Sequence, residues 1–178
     1  MKRKIVSLVL TVMVCSAAAM AQEALKPRLS PLEMVTMKYG DAYVKITYGR
    51  PHKRDREIFG ELVPYGKVWR TGANEATEIT LTRPIKIGGN ELAPGAYTIF
   101  TIPEKDKWTI IINSEVGQWG AYNYNKNFDV MRFDVPVKTT DVVYEPFTIE
   151  FEQHEETTNI LMMWDRTKVE IPIAFIDK

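Results

Sequence analysis

The sequence predicts an all-β protein, an antiparallel, jelly-roll-like β-sandwich of about nine or ten strands. Three observations carry this. Apolar and polar residues alternate with period 2 through most of the chain, as half-buried strands require. Gly and Pro turn signals recur at roughly 8–12 residue spacing, the rhythm of sandwiches and barrels. After the N-terminal apolar run, no segment of about 10 residues carries helical periodicity.

The chain of 178 residues opens on a secretory signal pattern. Lys2, Arg3 and Lys4 form a positive start, Ile5 to Val14 is apolar, and Ala19-Met20-Ala21 is a small-x-small cleavage pattern. Residues 1–21 are therefore expected to be removed, leaving Gln22 first. The apolar run is shorter than the roughly 20 residues of a spanning helix. Val14 stands before Cys15 where a lipobox needs a small residue, so a lipid anchor is not expected. The expected location is the periplasm or the extracellular space, and no transmembrane segment is expected after cleavage.

Cys15 is the only cysteine, so the processed chain holds no disulfide and depends on its apolar core. Removing Lys2, Arg3 and Lys4 from the 23 basic side chains leaves 20 against 23 acidic ones, a net of −3. That balance argues against nucleic acid as a partner.

Residues 22–33, with Pro27 and Pro31, read as a polar tether, and 34–178 as a single domain. Val44, Ile46 and Tyr48 alternate with Tyr43, Lys45 and Thr47. Ile79 and Leu81 follow the same rule. Ile85-Lys86-Ile87 runs into the turn Gly88-Gly89-Asn90, and Pro94-Gly95 launches Tyr97 to Ile102. That strand is expected to pair with Trp108 to Ile112, which is apolar on both faces and so central. Met131 to Val135, Phe147 to Phe151, Ile160 to Trp164 and Val169 to Phe175 complete the set. Only Ile58 to Val63 suggests a short helical turn, stopped by Pro64.

Two connections break the regularity. Gly49 to Thr80 carries Arg50, Lys53, Arg54, Arg56 and Arg70 beside Trp69, Asn74 and Glu75. Asn113 to Asp129 carries Trp119, Tyr122 and Tyr124 among glycines and asparagines. Strand connections usually span about 4–6 residues, and long polar excursions are where function concentrates.

The chemical inventory is narrow. The processed chain has two serines, Ser30 and Ser114, without a nucleophile elbow. Its two histidines, His52 and His154, share no metal-ligand spacing, so neither a metal nor another cofactor is implied. Arginine offers a planar fork that matches carboxylate or phosphate. Arg50, Arg54, Arg56 and Arg70 fit an anion pocket, but the first expectation is internal pairing with Asp55, Glu57, Glu61 and Glu75, which is compatible with a pocket. Trp119 and Tyr122 fit a ligand platform or a cap on the core. Glu75 and Asp129 lie in or beside the two loops and are the carboxylate pair a hydrolase would need.

From Phe59 through Glu75 to Thr77 the chain reads FGELVPYGKVWRTGANEAT. This string resembles the domain of unknown function 2911 family, found mainly in exported proteins of the Bacteroidetes group. The resemblance continues through LAPGAYTIFTIP at Leu92 to Pro103, WTII at Trp108 to Ile111 and GQWGAY at Gly117 to Tyr122, nearly the whole processed chain. It implies no settled activity. Family members often carry Ser near position 52 and Gly near position 55, where this chain has His52 and Asp55. If position 55 needs positive φ, Asp tolerates it better than most residues.

The resulting expectation is a binding module for a small anionic, carbohydrate-like or peptide ligand, with Arg50, Arg54, Trp69, Arg70, Asn74, Glu75, Trp119 and Tyr122 at the site. The alternatives are a hydrolase using Glu75 and Asp129, and a structural or envelope-assembly protein in which Arg70 and Glu75 form a buried pair. The composite site requires the 49–80 and 113–129 segments to meet.

Overall fold

A computed structural model describes residues 27–154 and 158–176. The expected signal peptide lies outside the described residues. Among the described residues nine strands form: β1 Leu32–Tyr39, β2 Ala42–Gly49, β3 Thr77–Leu81, β4 Ile85–Ile87, β5 Asn90–Leu92, β6 Gly95–Pro103, β7 Lys107–Asn113, β8 Asp129–Gln153 and β9 Thr158–Phe175. They make one large antiparallel sheet in the order β1-β2-β3-β6-β7-β8-β9-β4-β5. The sheet is not closed into a barrel; β1 and β5 remain its edges.

The sheet folds over a single core because β8 serves both halves. Its first part, Asp129 to Pro136, pairs with β7, and Val137 to Gln153 pairs with β9. Tyr48 on β2 meets Phe147 on β8 edge-on, at 5.7 Å between ring centroids. The Tyr48 hydroxyl accepts the Ile149 N–H at 3.1 Å, which satisfies a buried polar tip. Ile46, Ile79, Ile99 and Ile112 from one half pack with Ile85, Ile160, Met162 and Ile171 from the other.

Most elements follow from local pattern. Gly88 and Gly89 both take positive φ, at 55° and 82°, in a two-residue turn between Ile87 and Asn90. Two successive positive φ values make the hairpin turn that matches strand twist, and glycine takes them without strain. β7 is central and buried on both faces, as its apolar run requires. The four runs from Met131 to Phe175 merge into two long strands. Register shifts around Tyr144 absorb the breaks between them.

Two elements depart from their sequence pattern. β1 reads Leu-Glu-Met-Val-Thr-Met-Lys-Tyr, with apolar residues at both parities, so it shows no clean alternation and falls partly within the segment read as tether. The turn at 58–63 forms, but wider than a helical one: Val63 N–H donates to the Ile58 carbonyl and Leu62 N–H to the Glu57 carbonyl. Ile58 and Val63 reach the core through it. The 3-10 turn Lys126–Phe128 lies in the other loop.

Candidate functional site

The two unusual loops meet. Ala76 N–H donates to the Gln118 carbonyl at 2.9 Å, and Gly120 N–H to the Asn74 carbonyl at 2.9 Å. Glu75 and Trp119 form an isolated antiparallel bridge between these bonds. Three successive residues of one loop are thus clamped to three of the other.

Each loop has its own anchor. In the first, Trp69 exchanges both backbone bonds with Thr101 on β6, at 2.7 and 3.0 Å. Its indole N–H donates to the Gly72 carbonyl at 3.1 Å, and its ring stacks on Trp164 at 6.0 Å. Ala73 N–H donates to the Gly49 carbonyl at 3.1 Å. That approach needs glycine at 49, since a Cβ there would sit 1.8 Å from the Ala73 oxygen.

Thr71 and Asn74 take φ of 57° and 63°. For a β-branched residue this is a true outlier. The buried Thr71 is held there by a hydroxyl bond to Thr101 at 3.1 Å, and its carbonyl accepts the Thr77 hydroxyl at 2.7 Å. Backbone strain that is this firmly held clusters at functional sites. Asp55 takes φ of 59°, the positive value that the family's glycine suggests.

The second loop covers the outer face of β6 and β7. Tyr124 packs edge-on against the buried Phe100 at 5.0 Å, with Ala76 and Ile111 beside it. Its hydroxyl donates to Asp129 at 2.7 Å. Burial and the Asp129 carboxylate push the Tyr124 hydroxyl up to about 12, against the opposing pull of Arg132. Asp129 also accepts from Asn113 at 2.9 Å and from Arg132 at 2.6 Å. The carboxylate is a structural hub that accepts three hydrogen bonds.

Between the loops lies a cleft of about 550 Å³. Arg54, Trp69, Arg70, Asn74 and Trp119 of the expected set line it. Arg50, Glu75 and Tyr122 do not. Arg50 reaches the other way, to Glu33 at 3.5 Å and Thr148 at 3.3 Å. Tyr122 is 83% exposed and lies over Gly120, where a Cβ would come within 2.7 Å of its ring. Glu75 is gripped by Arg28 through both oxygens, at 2.7 and 2.9 Å. Burial pushes its carboxyl up, but its own backbone N–H and the Arg28 guanidinium outweigh this and hold it below the usual range.

Sequence reasoning missed the third side of the cleft. Arg28, Leu29 and Ser30, within the segment read as a tether, line it. The Leu29 carbonyl accepts from Arg54 at 2.9 Å, the Ser30 carbonyl from Asn74 at 3.1 Å, and the Pro31 carbonyl from Arg50 N–H at 2.8 Å. Carbonyl acceptors leave no signal in a sequence. Arg56 and His52 also line the cleft; both belong to the basic run, and only position along the folded loop separates them from Lys53.

The charge of the cleft is one-sided. No acidic side chain lines it among the described residues. Arg56 spends its bonds on the Lys53 and His52 carbonyls. The Arg70 side chain has no hydrogen-bond or ion-pair partner among the described residues, and its Nε is buried without an acceptor. The expected pairings of these arginines with Asp55, Glu57, Glu61 or Glu75 do not form.

The family model described as "Protein of unknown function (DUF2911)" matches residues 30–173. The chain belongs to this family. The match includes the strands from β1 to β8 and both loops of the cleft; of the cleft's lining, Arg28 and Leu29 lie just before it. No curated protein and no solved structure matches the chain.

Proposed function

We propose that this DUF2911 protein is a binding module for a small anionic ligand held in the cleft between the two loops. The Arg70 guanidinium, which has no partner among the described residues and stands in a cleft that those residues line with further arginines and no carboxylate, carries this reading. A buried donor without an acceptor costs about 1–3 kcal/mol, and an anionic ligand supplies acceptors to the same group. The volume of the cleft suits a small molecule, since ligand pockets run to roughly 300–1,000 Å³. The signal pattern at residues 1–21 supports a site of action outside the cytoplasm, and N-terminal sequencing of the exported protein tests this by reading Gln22 first.

Calorimetry against panels of organic acids, glycans and peptides tests the binding reading. Binding of an anionic member that Arg70→Ala abolishes supports it. No binding across the panels, or binding indifferent to Arg70→Ala, overturns it.

The hydrolase reading finds less support. Glu75 and Asp129 are each engaged by their own partners and neither lines the cleft. The reading of the motif as a purely structural brace required an Arg70–Glu75 pair, whereas Glu75 bonds Arg28.

A further inference from the structure

The cleft has two chemical characters. Its charged lining is all arginine: Arg28, Arg54, Arg56 and Arg70. Its remaining lining is rich in apolar surface, including Leu29, Leu62 and three indoles, Trp69, Trp119 and Trp164. Trp69 and Trp164 are buried and packed against each other and against Phe147. Their rings are committed to the core. Trp119 differs. It is 59% exposed, and its ring has no aromatic or hydrogen-bonding partner among the described residues.

A single exposed apolar side chain is ordinary on a protein surface; what sets Trp119 apart is its place in the lining of the cleft. Here its backbone is also fixed, with the neighbouring Gln118 and Gly120 bonded to Ala76 and Asn74. A large, rigid, uncovered aromatic face thus stands at the rim of an arginine-lined cleft. Aromatic side chains present such faces to flat apolar groups at low cost in lost side-chain freedom.

Size points the same way. A cleft of about 550 Å³ lies in the range of about 300–1,000 Å³ that takes drug-sized ligands. A bare inorganic oxyanion would fill a minor part of it and leave the apolar lining wet. A neutral ring would leave the guanidiniums unmatched.

Resting on the anion-binding reading, we infer that the ligand class is an oxyanion carried on a flat ring, with the carboxylate, sulfate or phosphate group on Arg70 and the ring face on Trp119. Both line the same cleft, and the carbonyl of Asn74, four positions after Arg70, accepts the N–H of the residue after Trp119.

The test uses matched pairs of probes on the purified protein by calorimetry: benzoate with acetate, phenyl sulfate with sulfate, and phenyl phosphate with phosphate. In the pair whose head group suits the site, the ring-bearing probe is expected to bind about tenfold tighter than the bare anion. Trp119→Ala brings it down to the level of the bare anion, and Trp119→Phe restores part of the advantage. Equal affinity within every pair, or a ring advantage that Trp119→Ala leaves intact, overturns the ring assignment while the anion reading stands. Failure of all six probes overturns both.

Discussion

Arg28 grips both carboxylate oxygens of Glu75 across 47 positions of chain. The contact ties the segment before β1 to the centre of the family motif. It also turns the Glu75 carboxylate toward Arg28 rather than Arg70. The residue preceding it, Asn74, holds Ser30 from the same loop, so one short stretch of the motif fastens residues 28–30 along the cleft.

This pair is half exposed, and such pairs contribute roughly 0–1 kcal/mol. Glu75→Gln should therefore lower global stability by less than about 1 kcal/mol, yet speed hydrogen exchange of the backbone amides at 28–30. The pH sign follows from the lowered carboxyl. Its contribution is present above the ordinary value of 4.5 and is lost as pH falls through the lower folded value. Urea titrations across that acid range should show the wild-type chain losing a small increment that Glu75→Gln never had. Unchanged exchange at 28–30 would show that the carbonyl bonds alone hold the segment.

Arg70→Ala should leave stability within about 1 kcal/mol of wild type, because it removes a guanidinium that pairs with nothing described and relieves a buried donor without an acceptor. Its effect should fall on ligand affinity. A large drop in the urea midpoint would instead mark Arg70 as a brace of the loop.

Gly49→Ala tests the close approach beneath the motif. The added Cβ would lie 1.8 Å from the Ala73 oxygen, so backbone must shift, at a cost of about 1–3 kcal/mol. The Ala73–Gly49 bond and the positioning of Arg70 and Asn74 should suffer together. Chemical denaturation and the calorimetric assay, run on the same sample, read the two effects.

The Tyr124 hydroxyl is pushed up to about 12 by burial and by Asp129. A raised acid loses stability when it ionises: the contribution is whole below the ordinary value of 10.0 and fades as pH climbs toward 12. Tyr124→Phe should therefore show a shallower alkaline loss of stability than wild type between those values, measured by denaturant midpoint at each pH. Tyr48, raised by burial, and Lys107 and Lys168, raised by their carboxylate partners, remain in both proteins and contribute to the residual slope. Identical slopes would mean that Tyr124 titrates freely.

The all-β class, most strand positions, the Gly88-Gly89 turn and the two anomalous loops were legible in the residues alone. Each is a local matter: period-2 alternation, φ preference and turn chemistry act over a few positions. β1 was missed because its apolar residues fall at both parities, and its edge position relaxes the demand for alternation. Which arginine stays unpaired was not legible. Arg50, Arg54 and Arg70 look alike in a chain, and their fates depend on Glu33, on the Leu29 carbonyl and, for Arg70, on the lack of any partner among the described residues, all set by how the sheet folds over. Local spacing determined the strands and the presence of an arginine-rich loop. Tertiary structure decided that Trp119 faces the cleft, that residues 28–30 wall it, and that the Arg70 guanidinium finds no partner among the described residues, because these depend on contacts between segments distant in sequence, brought together by the burial of one common core.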